Sequence, residues 1–216
     1  VSDLEIVKTW DSLGLRGSGS NTLIVDEVFV KPDAILRFSK IIEKSHPPYE
    51  DFDQNYLYYN TPFYPGFYVG FPAMAIGGAR RVVDEFEKHT AGRVRFSGIN
   101  EKDSPTSQRV LAQLKIEMLS AEALMAEYIK MMETDKGGPY EGAKYKAIRA
   151  TIIDKCTQIG VKALLTLGGH ALLKGHPVEI FTRDLIAIAT HITSLYEDGI
   201  LGYGRHLFGV QTNIQG

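Results

Sequence analysis

The chain has almost no cysteine, since Cys156 is the single one among its 216 residues. One thiol cannot form an internal disulfide, so the fold must depend on its hydrophobic core. Cys156 lies in an apolar helical stretch, where a buried and inert thiol is the usual state. These features predict a cytoplasmic protein, because thiols stay reduced in that compartment.

The chain also lacks an excess of one charge and any long apolar run. Its 24 lysines and arginines face 26 aspartates and glutamates, for a net charge of -2. Nucleic acid requires clustered basic residues, and a membrane-spanning helix requires about 20 consecutive apolar residues. We therefore expect neither nucleic acid nor a membrane as a partner. The chain begins without Met in an alternating, strand-like pattern, so we expect it to continue a longer protein.

Several motifs of known chemistry are missing. The sequence contains no Walker A motif, no GxGxxG and no GxSxG. None of its six histidines forms a pair at the four-residue spacing of zinc sites such as HExxH. We therefore expect no metal site. These patterns alone do not indicate a reaction.

The first part of the chain is strand-like. Leu4 and Ile6 alternate with polar neighbours, and the stretch 22–30 (TLIVDEVFV) is rich in β-branched residues. The turn-prone sequence GLRGSGSN precedes that stretch, so we predict a small sheet at one edge of the fold. Residues 37–62 lack periodicity and are predicted to form a connecting segment.

From Pro65 the pattern is helical. We predict helices over 66–90, from Ser104-Pro105 to Gly137, and over 141–167, 177–195 and 197–208. Long helices with short breaks predict a mainly α protein, an antiparallel four-helix bundle with a short N-terminal β annex. One apolar stripe of the 141–167 helix is predicted to face the core: Ile148, Ile152, Cys156, Ile159, Ala163 and Leu167.

Five segments together resemble the second half of the acyl-CoA dehydrogenase superfamily. Residues 13–20 (LGLRGSGS) and 25–32 (VDEVFVKP) resemble its G-[IL]-R-G-S motif and following strand. The stretch 93–96 (RVRF) resembles its R-x-x-F, and Gly168-Gly169 with Arg183-Asp184 resembles its G-G-x-G loop and R-D pair. The resemblance implies that 1–36 end the middle β domain, 37–62 connect, and 63–216 form the C-terminal helical domain.

The resemblance also implies a flavin cofactor, FAD or FMN. The residues that match cofactor contacts are Arg93, Phe96, Gln108, Gly168, Gly169 and Thr190. In the family the arginine reaches the pyrophosphate of FAD bound mainly by a neighbouring subunit, which implies a homo-oligomer, a dimer of dimers. A guanidinium fork suits phosphate oxygens, and adjacent glycines let the backbone approach a cofactor. The alternatives are a solvated loop arginine and a glycine pair that ends a helix.

Typical dehydrogenases have a catalytic glutamate roughly nine residues after the R-D pair, and it removes an α-proton from the substrate. This chain has no counterpart of that glutamate. No carboxylate lies between Asp184 and Glu197. The stretch 189–193 (ATHIT), with Tyr203-Gly204-Arg205 after it, resembles the oxygenase branch that includes 4-hydroxyphenylacetate, secosteroid and dibenzothiophene monooxygenases. That branch implies a catalytic His191 beside flavin and substrate, which deprotonates a phenol or hydrogen-bonds the oxygenated flavin. The alternative is a helix histidine bound to a backbone carbonyl.

Tyr64, Phe67 and Phe71 are candidates for lining an aromatic substrate pocket, although such spacing also suits plain core. The expected function is the C-terminal part of a monooxygenase that takes reduced flavin from a separate reductase and hydroxylates an aromatic, polycyclic or heteroatom small molecule. The alternatives are an FAD-dependent acyl-CoA dehydrogenase or oxidase, and a non-catalytic assembly fragment.

Overall fold

The structure, a computed structural model, describes residues 4–35, 61, 63–134 and 139–210. Two short strands, β1 (Glu5–Val7) and β2 (Thr22–Ile24), come first. The helices that follow are α1 (Phe63–Tyr68), α2 (Gly70–Gly92), α3 (Pro105–Thr134), α4 (Pro139–Leu167), α5 (Pro177–Ala189) and α6 (Tyr196–Leu207). Apart from Thr61, the predicted connecting segment 37–62 lies outside the described residues.

The predicted small sheet is present but shorter than expected. Strands β1 and β2 pair antiparallel, with Ile6 opposite Leu23. The prediction of a strand up to Val30 is wrong, because β2 ends at Ile24. A strand needs a neighbour for its backbone hydrogen bonds. Within the described parts of the chain no third strand joins this pair, and the side chain of Phe29 is 84% exposed.

Helix α4 lies at the centre of the bundle and contacts α2, α3, α5 and α6. All six residues of its predicted apolar stripe are buried. A fully buried Ile or Leu side chain stabilises the fold by about 1.5–3 kcal/mol, so this stripe accounts for much of the packing. Burial raises the pKa of the Cys156 thiol to about 12, which leaves it protonated and inert. The prediction of a mainly helical bundle with a β annex is confirmed.

Two glycines allow the helices to pack closely against α4. A Cβ atom added at Gly160 in α4 would lie 3.1 Å from the Thr182 hydroxyl of α5. A Cβ added at Gly199 in α6 would lie 3.0 Å from the Cβ of Ala150 in α4. Both positions are tighter than ordinary van der Waals contact, so a larger side chain would push the helices apart.

The N-terminal segment docks on α5 through the R-D pair. The Leu15 N–H donates a hydrogen bond to Asp184 Oδ1 at 2.7 Å, and Arg183 Nη1 donates to the Leu13 carbonyl at 2.8 Å. A Cβ at Gly14 would lie only 2.1 Å from the carbonyl oxygen of Arg183. The backbone of the G-L-R-G turn therefore rests directly on α5, and glycine is required at that point of contact.

The prediction of one helix over 177–195 is wrong beyond Ala189, where α5 ends. Residues 190–194 form turns, and α6 begins at Tyr196. Thr190 Oγ1 donates to the Ala187 carbonyl at 3.1 Å, and the Thr193 N–H donates to the His191 ring at 3.3 Å. Such local side-chain bonds compete with helix continuation. Because the helix ends at Ala189, His191 lies in the loop between α5 and α6.

Across the described part of the chain, we find no helix with both the length and the apolar character needed to cross a membrane.

Candidate functional site

His191 lies in the turn that follows α5, with its side chain exposed. Its Nδ1 lies 2.8 Å from the Thr193 hydroxyl and also accepts the Thr193 N–H at 3.3 Å. Since a backbone N–H can only donate, Nδ1 acts as an acceptor and the neutral ring carries its proton on Nε2. His191 therefore presents an N–H donor at Nε2.

An aromatic cluster extends from His191 back to α1. The His191 ring centroid lies 4.9 Å from that of Phe71, and Phe71 lies 6.2 Å from Tyr68. Tyr68 in turn contacts Phe67 at 5.1 Å and Tyr64 at 5.9 Å. We call these five residues the aromatic site. The structure thus brings the predicted catalytic residue and all three predicted substrate residues together, with Tyr68, which the sequence did not single out, as the link.

The aromatic site presents accessible ring surface beside an imidazole. Phe67 is 56% exposed and Tyr64 is 36% exposed. Burial, and then the neighbouring Tyr68, raise the pKa of Tyr64, so its phenol stays protonated. Exposed aromatic faces next to a hydrogen-bond donor suit a planar aromatic ligand with a polar substituent.

Arg149 of α4 holds the turn that contains His191. Its Nη2 donates to the Thr193 carbonyl at 2.6 Å, and its guanidinium lies 4.6 Å from the centre of the Tyr68 ring. Arg149 is buried, and burial lowers its pKa. One charged group therefore holds both Tyr68 and the residue that orients His191. A lone arginine next to the apolar stripe of α4 was the signal that could have identified it.

A second group of predicted residues lies at the other end of the bundle. Arg93 follows the last residue of α2, and its Nη1 donates to the Leu167 carbonyl at 3.4 Å. Gly168, which follows Leu167, has a φ of 74° and opens the 3-10 turn Gly168–Leu172. We call Arg93, Gly168 and Gly169 the arginine site. Burial and then the charge of Arg93 lower the pKa of the adjacent His89.

The two other predicted cofactor residues of this region lie in the connection before α3 and in its first turn. Phe96 is fully exposed at the tip of a tight turn, in which the Gly98 N–H donates to the Arg95 carbonyl at 2.8 Å. Gln108 Nε2 donates to the Lys102 carbonyl at 3.1 Å. Arg95 is bound to Glu101 through bonds of 2.6 and 2.7 Å, so of the two arginines Arg93 is the better candidate for an external phosphate.

We expect the Glu101 network to make stability depend on acid pH. Hydrogen bonds from Arg95, and then from Ser107, lower the pKa of Glu101 from 4.5 to about 2. A lowered carboxyl pKa stabilises the fold above pH 4.5, and this contribution is lost as the pH falls towards 2. Because the Arg95 side chain is 42% exposed and screened by solvent, we expect Glu101→Gln to cost about 1–2 kcal/mol near pH 7.

Thermal unfolding of Glu101→Gln and the unaltered protein from pH 7 to 3 measures this effect. The difference in Tm should shrink steadily below pH 4.5. Glu87→Gln is the matched control, since Glu87 pairs with Lys115 at 2.8 Å on an exposed surface and should matter little. A Tm difference for Glu101→Gln that does not change with pH would contradict the expectation.

The aromatic site and the arginine site lie at opposite ends of α2. Phe71 is the second residue of this 23-residue helix, and Arg93 follows its end. At 1.5 Å per residue the two sites are about 30 Å apart. Thr190 adjoins His191, so the predicted cofactor residues are divided between the two ends. One chain does not bring all of them to one place.

Residues 69–194 match the family model described as acyl-CoA dehydrogenase, C-terminal domain. The chain belongs to this family. The matched region runs from the start of α2 to the end of the His191 turn and contains the arginine site, Phe71 and His191. The family resemblance expected from the sequence is confirmed.

Two similar proteins are named as parts of oxygenases, and a third was solved with reduced flavin. The flavin-dependent monooxygenase, oxygenase subunit HsaA, of Rhodococcus jostii (strain RHA1) is 27% identical over 96% of this chain and 56% of its own length. The p-hydroxyphenylacetate 3-hydroxylase, oxygenase component, of Acinetobacter baumannii is 22% identical over 97% of this chain and 51% of its own. XiaF from Streptomyces sp., solved with FADH2 and glycerol, has a TM-score of 0.84 and 17% identity, over 100% of this chain and 55% of its own. The chain therefore spans about half the length of the relatives it matches.

Proposed function

We propose that this chain is the C-terminal part of a flavin-dependent monooxygenase that hydroxylates an aromatic small molecule. The observation that carries the proposal is His191, which is fixed by Thr193 at 2.8 Å and lies 4.9 Å from Phe71 in an accessible aromatic site. The relatives named as oxygenase subunits or components support the same activity. Residues 4–35 would then close the middle β domain, and 63–210 would form the helical domain.

When bound, reduced flavin would supply the electrons that activate O2, and one atom of that O2 would be transferred to the substrate. The residues of this chain would hold the substrate and control protons. The aromatic site would stack the planar ring of the ligand. The Nε2–H of His191 would donate a hydrogen bond to an oxygen atom of that ligand. Arg149 and Thr193 keep that donor in place, so that little reorganisation is needed during the reaction.

The separation of about 30 Å along α2 supports a site shared between subunits. A flavin ring and its phosphate are joined by one ribityl chain, which is shorter than this distance. We propose that the aromatic site serves one flavin and that the arginine site binds the phosphate of a flavin in another copy. Exposed apolar residues on α3 and α4, among them Ile116, Leu119 and Leu165, offer surface for such a homo-oligomer.

The partners that this function requires are a separate flavin reductase and an aromatic substrate. The oxygenase subunit and component among the relatives support a reductase that delivers reduced FAD or FMN by diffusion. A buried Cys156 with a raised pKa fits a cytoplasmic protein, which we propose as the location.

The second candidate is an acyl-CoA dehydrogenase, because the family model carries that description. Its reaction needs a carboxylate near the flavin to remove an α-proton. The residues between Asp184 and Glu197 include a histidine, two threonines and a serine around the turn, but no carboxylate. We therefore propose the monooxygenase first.

The test uses the natural protein that contains this chain, mixed with chemically reduced FAD or FMN, 18O-labelled O2 and a panel of phenols. We expect one labelled oxygen atom in each product molecule, measured by mass spectrometry. Parallel samples without O2 receive acyl-CoA substrates and an electron-accepting dye. Dye reduction that depends on acyl-CoA, without labelled product from any phenol, would reject the monooxygenase in favour of the dehydrogenase.

A further inference from the structure

Three histidines from separate elements meet next to the arginine site. His89 lies near the C-terminal end of α2, His170 lies in the 3-10 turn Gly168–Leu172, and His176 precedes α5. One ring nitrogen of each lies within 4.8 Å of those of the other two. The ring centroid of His170 lies 5.6 Å from that of His89 and 5.6 Å from that of His176. The centroids of His89 and His176 are 6.3 Å apart. We call this group the histidine cluster.

The spacing of the histidine cluster is close to that of a metal centre. Zinc binds imidazole nitrogen at about 2.0–2.1 Å, so two nitrogens on one tetrahedral ion lie about 3.4 Å apart. Nitrogens already within 4.8 Å of one another need small side-chain rotations to reach that value. Imidazole is also the ligand that Zn²⁺, Cu²⁺ and Ni²⁺ share.

A second observation points to a missing ligand at the same place. Among the described residues, His89 Nε2 is a buried side-chain atom without a hydrogen-bond partner. Buried polar atoms are almost always paired, and each exception requires an explanation. An ion between the three rings would supply the partner that His89 lacks.

We propose that His89, His170 and His176 bind one divalent transition-metal ion of the Zn²⁺ class. The ion would join the end of α2, the turn after α4 and the start of α5, which are the three elements around the arginine site. Three imidazoles leave a coordination position for solvent. Spacing along the sequence did not predict this site, because no two of its ligands share a helix.

Two features of the surroundings oppose binding and limit its strength. Lys88 and Arg93 line the same pocket of about 320 Å³ as His89 and His176, and their charges repel a cation, whereas Glu85 in that pocket attracts it. His176 Nδ1 accepts the Val178 N–H at 3.2 Å. An ion on either nitrogen of this ring ends that bond, since it occupies Nδ1 or moves the ring proton there.

The test titrates Zn²⁺ into the natural protein that contains this chain, purified without a histidine tag, treated with EDTA and kept in phosphate-free buffer. Calorimetry should show that each chain binds one Zn²⁺ ion and that this binding requires the histidine cluster. Co²⁺ should give visible absorption bands of a nitrogen-ligated ion. We expect His89→Ala, His170→Ala and His176→Ala each to weaken Zn²⁺ binding at least about tenfold. Because His170 is exposed, its substitution leaves the core intact and decides the question even if His89→Ala does not fold.

His206→Ala is the matched control, because His206 lies on α6 outside the histidine cluster and should leave Zn²⁺ binding unchanged. Thermal unfolding should show that Zn²⁺ raises the Tm of the unaltered protein and of His206→Ala but not of His170→Ala. Zn²⁺ binding that the three cluster substitutions do not weaken would overturn the proposal. If Zn²⁺ does not bind, and a separate titration with inorganic phosphate shows binding that the same variants lose, the cluster is an anion site and the proposal is overturned.

Discussion

Replacing His191 by alanine is expected to lower the yield of hydroxylated product about 10²–10³-fold, the usual cost of losing one aligned hydrogen-bond donor in an active site. The reason is the orientation of the ring, whose Nδ1 accepts the Thr193 N–H at 3.3 Å. The proton of the neutral imidazole is then on Nε2, where it is available to a ligand. Product formed per O2 consumed, measured in the natural protein with reduced flavin, reports the loss.

His191→Asn separates a donor from a base. Its amide still offers an N–H group but cannot titrate near neutral pH. Since the structure orients Nε2–H as a donor, we expect Asn to recover part of the coupling between O2 use and product. If Asn is as damaging as Ala, and the rate loses a pH dependence that the unaltered protein shows, His191 acts as a general base instead. Full coupled activity in His191→Ala would remove His191 from the mechanism altogether.

Gly14→Ala is expected to destabilise the protein by about 3 kcal/mol, at the upper end of the usual cost of overpacking, because the clash is with backbone. The added Cβ would lie 2.1 Å from the Arg183 carbonyl oxygen and 2.9 Å from the Asp184 nitrogen. Neither atom can move without distorting α5. The segment would have to leave its place and lose the 2.7 Å bond from the Leu15 N–H to Asp184.

Urea unfolding measures the loss of stability, and limited proteolysis shows whether residues 4–35 detach while the bundle remains folded. Gly17→Ala is the matched control, since a Cβ there meets no atom within 4 Å. Gly14→Ala with the stability and protease resistance of Gly17→Ala would show that the turn does not rest on α5. Asp184→Asn should give a smaller loss, because the amide oxygen can still accept the Leu15 N–H without its charge.

Local sequence patterns were sufficient to predict the helical bundle. The stripe from Ile148 to Leu167 repeats at three- and four-residue intervals, and such a period puts side chains on one face of a helix whatever packs against it. Ser104-Pro105 and Pro177 mark helix starts for equally local reasons. The family motifs likewise led to Arg93, the Gly168-Gly169 pair and His191, because each motif is a short run of neighbouring residues.

The boundaries and the chemistry depended on contacts that no local pattern contains. Helix α5 ends at Ala189 because Thr190 and His191 bind nearby backbone, although the apolar period predicted a helix to 195. Arg149 holds Thr193 across 44 positions of sequence. Leu15 and Asp184 are 169 positions apart, yet they form one hydrogen bond.

The sequence by itself therefore determined the helices, the core stripe and the family. The tertiary structure decided which of the singled-out residues share a site: His191 with Phe71, and Arg93 with Gly168, at ends of α2 that are about 30 Å apart. It also assembled the histidine cluster from three elements, His89 on α2 and His170 and His176 after α4. The physical reason is that periodicity reports which face of a helix is buried, whereas a site depends on which faces of different elements meet, and only the folded chain fixes that.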